Sequence, residues 1–334
     1  MSRVLVTGGA GFIGSHLVDA LVAAGDEVSV LDDFSSGEIE NLAEATRTGR
    51  VTVTEGSILD PIALEKAISG CDLAFHLAVQ CVRRSLGKPL ENHEINATGT
   101  ILTLEAARKA GVKRFVYCSS SEVYGNTAAG RLSESIVPEP VTVYGSAKLA
   151  GEYYTKAYHQ TYGLPTIIVR PFNSYGPREH DRGDLAEVIP RFVIRVLNGL
   201  PPVIFGSGEN GRDFTYVTET ATGILRVADA DAFIGKVVNI AYGEMIRIRD
   251  VAEAVAVACD RPDIKPVHIE PRPGDVMVLH ADTRLASEIL GFKPTIDFNA
   301  GLRHYVSWFR SARPNPSELL EENVRNWEMP AAAR

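Results

Sequence analysis

The sequence predicts an α/β fold built on a doubly wound parallel sheet, and three observations carry that expectation. Short, wholly apolar runs recur through the first half of the chain and alternate with amphipathic stretches. A glycine-rich turn follows the first run directly, and past Arg170 the texture shifts to short elements broken by prolines. Runs apolar on both faces belong to buried parallel strands joined by crossover helices, because a solvated face would show alternation.

Val4-Leu5-Val6, Val28 to Leu31, Val51-Thr52-Val53, Leu73 to Leu77, Arg114 to Cys118 and Thr166 to Arg170 read as six strands. His16 to Ala24 and Thr100 to Ala110 have the spacing of helices that cover such a sheet. Pro171, Pro177, Pro190, Pro201 and Pro202 then divide the chain, and residues 125–140 and 176–187 read as loops beside chemical motifs. Val237 to Ile240 reads as a strand returning to the sheet, which makes the second part of the chain discontinuous.

With 334 residues, 45% hydrophobic and 23% charged, the chain has the composition of an ordinary globular protein with a substantial core. A net charge of −8 with no dense Lys/Arg block argues against a nucleic-acid or anionic-membrane surface. No stretch approaches the ~18 apolar residues of a membrane span. Cys71, Cys81, Cys118 and Cys259 show neither zinc nor disulfide-scaffold spacing and read as free thiols, so the expected setting is cytoplasmic. His76, His93 and His180 form no ligand spacing, and no metal is expected.

Between the first strand and the first helix stands Gly8-Gly9-Ala10-Gly11-Phe12-Ile13-Gly14, with G-x-x-G-x-x-G spacing. Gly8 permits the tight turn, Gly11 the approach of a pyrophosphate, and Gly14 close helix packing, while the helix start at Phe12 and Ile13 offers free N–H groups to the anion. Asp32, with Asp33 adjacent, ends the second strand, where a carboxylate accepts the adenine ribose hydroxyls and repels a 2′-phosphate. The cofactor expected is therefore NAD.

Tyr144 and Lys148 are four residues apart and share one helix face. A phenol with pKa ~10 is a poor base, but a neighbouring ammonium and a cationic nicotinamide favour the phenolate. The pair is then suited to take the proton from a hydroxyl that loses hydride.

The glycine loop, Tyr144-x-x-x-Lys148 and Arg170-Pro171-Phe172-Asn173 together resemble the extended short-chain dehydrogenase/reductases that modify nucleotide sugars. The resemblance runs from Val4 to Leu290-Gly291-Phe292-Lys293-Pro294. It implies a Rossmann domain, residues 1–172 and about 213–241, with a smaller substrate domain of about 173–212 and 242–334. It also implies a homodimer formed through helices that include the one bearing Tyr144.

By that resemblance Ser120 bonds the sugar 4-hydroxyl, Tyr144 is the base, and Lys148 holds the nicotinamide ribose and lowers the phenol's pKa. Leu77, Ala78, Asn96 and Ser119 would line the cofactor. Ser57-Ile58 stands where relatives carry Asp-Ile or Asp-Leu against adenine, a departure at Ser57. Arg212, Arg272 and Asp275 lie in segments that grip a nucleotide diphosphate and its ribose, a task that suits the two-donor guanidinium. Asn173 would bond sugar or diphosphate, Val188 with Ile189 and Pro190 would wall the base, and uridine is the base implied. Arg83, paired with Arg84, passes the sugar and would suit a carboxylated one; a solvent-facing charge is the alternative.

After C4 oxidation the related reactions diverge. A 4-epimerase needs no further acid or base, whereas 4,6-dehydratases carry an Asp-Glu pair at the strand end. Here the pair is Ser121-Glu122, which resembles UDP-glucuronate decarboxylases and some dehydratases, while the sequence around Tyr144 and Arg272-Pro273-Gly274-Asp275 looks like 4-epimerases. The expected function is UDP-hexose or UDP-hexuronate 4-epimerisation. The alternatives are a Glu122-dependent dehydration or decarboxylation, and a catalytically silent NAD-binding protein.

Overall fold

In the computed structural model, which describes residues 1–128 and 130–329, the six expected strands are β1 (Arg3–Thr7), β2 (Glu27–Asp32), β3 (Val51–Glu55), β4 (Leu73–His76), β5 (Arg114–Cys118) and β6 (Thr166–Pro171). Three short strands follow, β7 (Asn173–Tyr175), β8 (Val203–Phe205) and β9 (Gly211–Tyr216), before β10 (Val237–Ile240) rejoins the sheet. The seven-stranded parallel order is β10-β6-β5-β4-β1-β2-β3. Its register sets Val6 beside Val30 and Phe75.

The helices are α1 (Phe12–Ala23), α2 (Ala43–Arg47), α3 (Pro61–Ile68), α4 (Val82–Gly87), α5 (Pro89–His93), α6 (Gly99–Ala110), α7 (Val143–Tyr162), α8 (Val188–Leu197), α9 (Val217–Ala228), α10 (Ile248–Ala258), α11 (Arg284–Leu290) and α12 (Phe298–Ala312). Strand side chains alternate between two cores, as the pleat requires. Val4, Val6, Val116, Ile167 and Val169 pack with α1 and α9, whereas Leu5, Ala74, Phe115, Tyr117 and Ile168 pack with α3, α6 and α7. Thr142 starts α7 by accepting the Gly145 N–H at 3.0 Å, and Gly163 ends it at φ 70° in the left-handed region.

A second core joins α8, α10 and α12 to β7 and β9 through Phe192, Val196, Val251, Val255, Tyr305, Phe309 and Phe214. Strand β9 pairs with β7, with β11 (Met245–Arg247) and with β13 (Val278–Leu279), while β8 pairs with β12 (Val267–Ile269). Residues 213–216 therefore lie in this second sheet, although the sequence placed them with the nucleotide-binding part. Ala286 and Phe292, around α11, depart in the opposite sense and pack into the first core.

Asp213 on β9 is fully buried and accepts the Gly243 N–H at 3.0 Å and the Ala281 N–H at 3.3 Å. Burial pushes its carboxyl up to about 7, against the lowering effect of those N–H donors. A carboxyl raised in the folded state contributes stability below its unfolded pKa and loses it as pH rises through the folded value. Asp213→Asn is therefore expected to gain on the parent between pH 4 and 8, by up to about 4 kcal/mol. Urea unfolding across that range checks this, and a pH-independent difference between the two proteins would exclude it.

Candidate active site

The carboxyl ends of the strands open onto one cleft, as expected at the switch point of a doubly wound sheet. Gly8, at φ 69°, turns the chain so tightly that a Cβ there would stand 2.7 Å from Ala78 N, and one on Gly14 would stand 2.0 Å from Gly8 O. Nothing larger than glycine keeps α1 this close to the loop. The amino end of α1 has no side-chain cap and no acidic residue in its first turn, so its N–H groups remain available to an anion.

Asp32 lines the cleft at the end of β2, its Oδ2 accepting the Ala10 N–H and its Oδ1 the Phe34 N–H, both at 2.9 Å. Asp33 accepts the Ser35 N–H and hydroxyl at 2.9 and 2.6 Å. Gly8, Gly11, Phe12, Ile13, Gly14, Ile58, Leu77, Ala78 and Ser119 line the same cleft. A glycine cradle, an uncapped helix end and a carboxylate at the strand tip fit a dinucleotide such as NAD.

Two expected cofactor residues stand outside the wall. Ser57 turns its hydroxyl to the Leu59 N–H at 3.2 Å. Asn96 is buried and holds the backbone of Gln80, accepting its N–H and donating to its carbonyl, each at 2.9 Å. Asn96 thus positions the strand-end loop from behind the cleft wall.

At the other end of the cleft Ser120, Ser121 and Glu122 leave β5 opposite Tyr144 and Lys148 of α7. Burial raises the Tyr144 phenol well above its ordinary value, with the Ser120 hydroxyl lowering it and the Glu122 charge raising it further. Burial lowers the Lys148 ammonium to about 8. Lys148 donates to the Cys118 carbonyl at 2.5 Å and lies 4.6 Å from the centre of the Tyr117 ring. Its closest ties are therefore to β5.

Helix α7 continues this face one turn on with Glu152, a residue the sequence reading did not place at the site. Glu152 is fully buried, accepts the Ser119 hydroxyl at 2.6 Å, and takes two donors from Arg170 on β6 at 2.8 and 2.7 Å. The strand end that carries Ser119 and Ser120 is thereby tied to the helix that carries Tyr144. The signal in sequence was an arginine closing an otherwise apolar strand.

The predicted substrate residues divide. Asn173 lines the cleft with a buried Oδ1 that has no protein partner. Arg83 also lines it, but its Nε and Nη2 donate to the Asp184 and Leu185 carbonyls at 2.8 and 2.5 Å, and Glu187 stands 3.9 Å away. Arg84 bonds the Asp184 carboxylate at 2.8 Å, so the pair fastens residues 184–187 across the cleft. Arg212 and Arg272 both donate to Asp275 Oδ1 at 2.8 Å; none of the three lines the cleft wall, though both arginines act on Glu122. Val188 packs into the second core and forms no part of the wall.

A glycine-loop dinucleotide cleft with a Tyr/Lys pair on one helix face, its lysine buried, defines an NAD-dependent enzyme of the short-chain dehydrogenase/reductase type. The NAD dependent epimerase/dehydratase family matches residues 4–241, and the chain belongs to it. The UDP-glucose 4-epimerase of Mycolicibacterium smegmatis is 37% identical over 312 residues, 92% of this chain and 99% of that protein. A UDP-N-acetylglucosamine 4-epimerase from Methanobrevibacter ruminantium, solved with UDP-N-acetylmuramic acid, has a TM-score of 0.87 at 36% identity, covering 93% of this chain and 99% of that one. A dTDP-glucose 4,6-dehydratase from Streptomyces venezuelae, solved with NAD and TYD, has a TM-score of 0.90 at 32% identity, covering 95% of this chain and all of that one.

Proposed function

We propose that the protein is a UDP-hexose 4-epimerase. The observation that carries this reading is the convergence of Ser120, Tyr144 and Lys148 on one cleft with Ser121, a buried hydroxyl, where a dehydratase carries its acid. When bound, NAD supplies the acceptor and donor of hydride at the sugar C4. Tyr144 takes the proton of the C4 hydroxyl, and Ser120 orients that hydroxyl and favours the phenolate. Lys148 places positive charge on the same buried face. The two relatives named as 4-epimerases support a UDP-linked sugar.

A neutral hexose is favoured over a hexuronate because the Arg83 guanidinium is already engaged by two carbonyls and by Glu187. Asn173 Oδ1, unpartnered on the wall, is suited to accept a sugar hydroxyl. Arg212 and Arg272, held by Asp275, are the candidates for the diphosphate once the second core closes on substrate. The setting we infer is cytoplasmic, consistent with four unpaired cysteines, and a homodimer is supported by Tyr153 and Tyr162, both exposed on α7.

One observation favours a second reading. Burial raises the Glu122 carboxyl above its ordinary range, against Arg212 and Arg272, which suits a group that exchanges a proton and so an elimination or decarboxylation. UDP-glucose, UDP-glucuronate and UDP-N-acetylglucosamine in deuterated water decide between them, with products followed by mass and NMR. The 4-epimer without deuterium at C5 is expected. Deuterium at C5, or loss of water or carbon dioxide, would overturn the epimerase reading.

A further inference from the structure

Among the described residues, three buried side-chain atoms on the cleft wall lack a hydrogen-bond partner: Gln80 Oε1, Asn173 Oδ1 and His180 Nε2. Buried polar atoms are seldom left so, and each therefore points to a group on a ligand. The first two are acceptors, whereas an imidazole nitrogen can donate to an anion.

His180 lies on the segment between β7 and α8, which belongs to the second core's side of the cleft. Its ring meets that of Phe12 edge-on, with centroids 6.4 Å apart, and Phe12 is the first residue of the uncapped helix α1. His16 of α1 fixes the same segment from beneath through a 2.9 Å contact between its Nε2 and the Pro177 carbonyl. On the other edge of the His180 ring, Nδ1 stands 3.6 Å from Glu187 Oε1. That carboxylate holds the ring by one nitrogen and leaves Nε2 toward the cleft.

We propose that His180, as an imidazolium whose Nδ1–H faces Glu187, donates its Nε2–H to the pyrophosphate of bound NAD, as a cofactor-positioning residue. The amino end of α1 then grips the anion from the sheet, and His180 grips it from the opposite side. Through Glu187 and Arg83 the contact also links cofactor binding to the segment fastened over the cleft. The inference rests on the NAD dependence of the family.

The test compares the parent with His180→Ala, His180→Phe and His180→Gln. Phenylalanine preserves the edge contact to Phe12 without the donor, and glutamine restores a donor. Calorimetric titration of the nucleotide-free proteins should show NAD and ADP-ribose bound about tenfold more weakly by the alanine and phenylalanine variants, with partial recovery in the glutamine variant. Adenosine, which has no pyrophosphate, should bind all four alike, and the phosphorus NMR lines of bound NAD should shift in His180→Phe. Parental affinity for NAD and ADP-ribose in His180→Phe, with unmoved phosphorus lines, would overturn the proposal. A parent that bound no NAD would overturn the cofactor reading and this proposal together.

Discussion

Tyr144→Phe is expected to lower turnover of the nucleotide sugar by about 10² to 10⁴, the usual contribution of a positioned acid–base group, while NAD stays bound. The ring that fills the space beside Ser120 remains, and only the proton-carrying oxygen is lost. Because burial holds the phenol in its neutral form in the free protein, the phenolate depends on positive charge nearby. Lys148, lowered to about 8 by the same burial, contributes that charge only while protonated. Initial rates of 4-epimer formation, with NAD content measured on the same samples, check the expectation. Unchanged turnover would mean that another group handles the proton.

Glu152→Ala is expected to destabilise the fold by about 3–5 kcal/mol, because it leaves the Arg170 guanidinium buried without its counter-charge. Arg170 is 2% exposed, with its Nη1 already unpartnered, and its plane lies 4.7 Å from the centre of the Tyr124 ring. Removing both partners, as Glu152→Ala with Arg170→Met, should recover much of the loss, since the uncompensated charge is then gone. Urea unfolding of both proteins measures it. A single variant that lost less than about 1 kcal/mol would show the pair to be incidental to stability.

The first six strands and the glycine loop were legible because each is encoded locally, by a run of apolar residues or by a turn only glycine can make. Strand β9 was not legible as a strand: Arg212-Asp213-Phe214-Thr215-Tyr216 opens on two charged residues with no apolar run or sustained period-2 alternation, and its partners β7, β11 and β13 come from distant parts of the chain. Asn96 stands outside the cleft wall for a related reason. A single π-turn over Glu94–Thr98 brings it beside Asn92, to whose Oδ1 it donates at 3.0 Å, and turns both toward the Gln80 backbone. Nothing in the spacing of residues 92–98 announces that extra residue per turn. Val188 shows the converse limit, an apolar residue at a helix start whose assignment to core or wall depends on how α8 is rotated.

The path of the chain between the two cores has a consequence for how such a protein can be altered. It leaves the parallel sheet at β6 for β7, returns after β9 through α9 and β10, leaves again at β11, and visits the first core once more at α11 before ending in α12 and the turn beyond. Neither half is a continuous stretch, so the second core cannot be excised, expressed alone or exchanged with a relative's by a single pair of splice points. A change of substrate must come from point replacements along several separate segments, with the sheet kept in place beneath them.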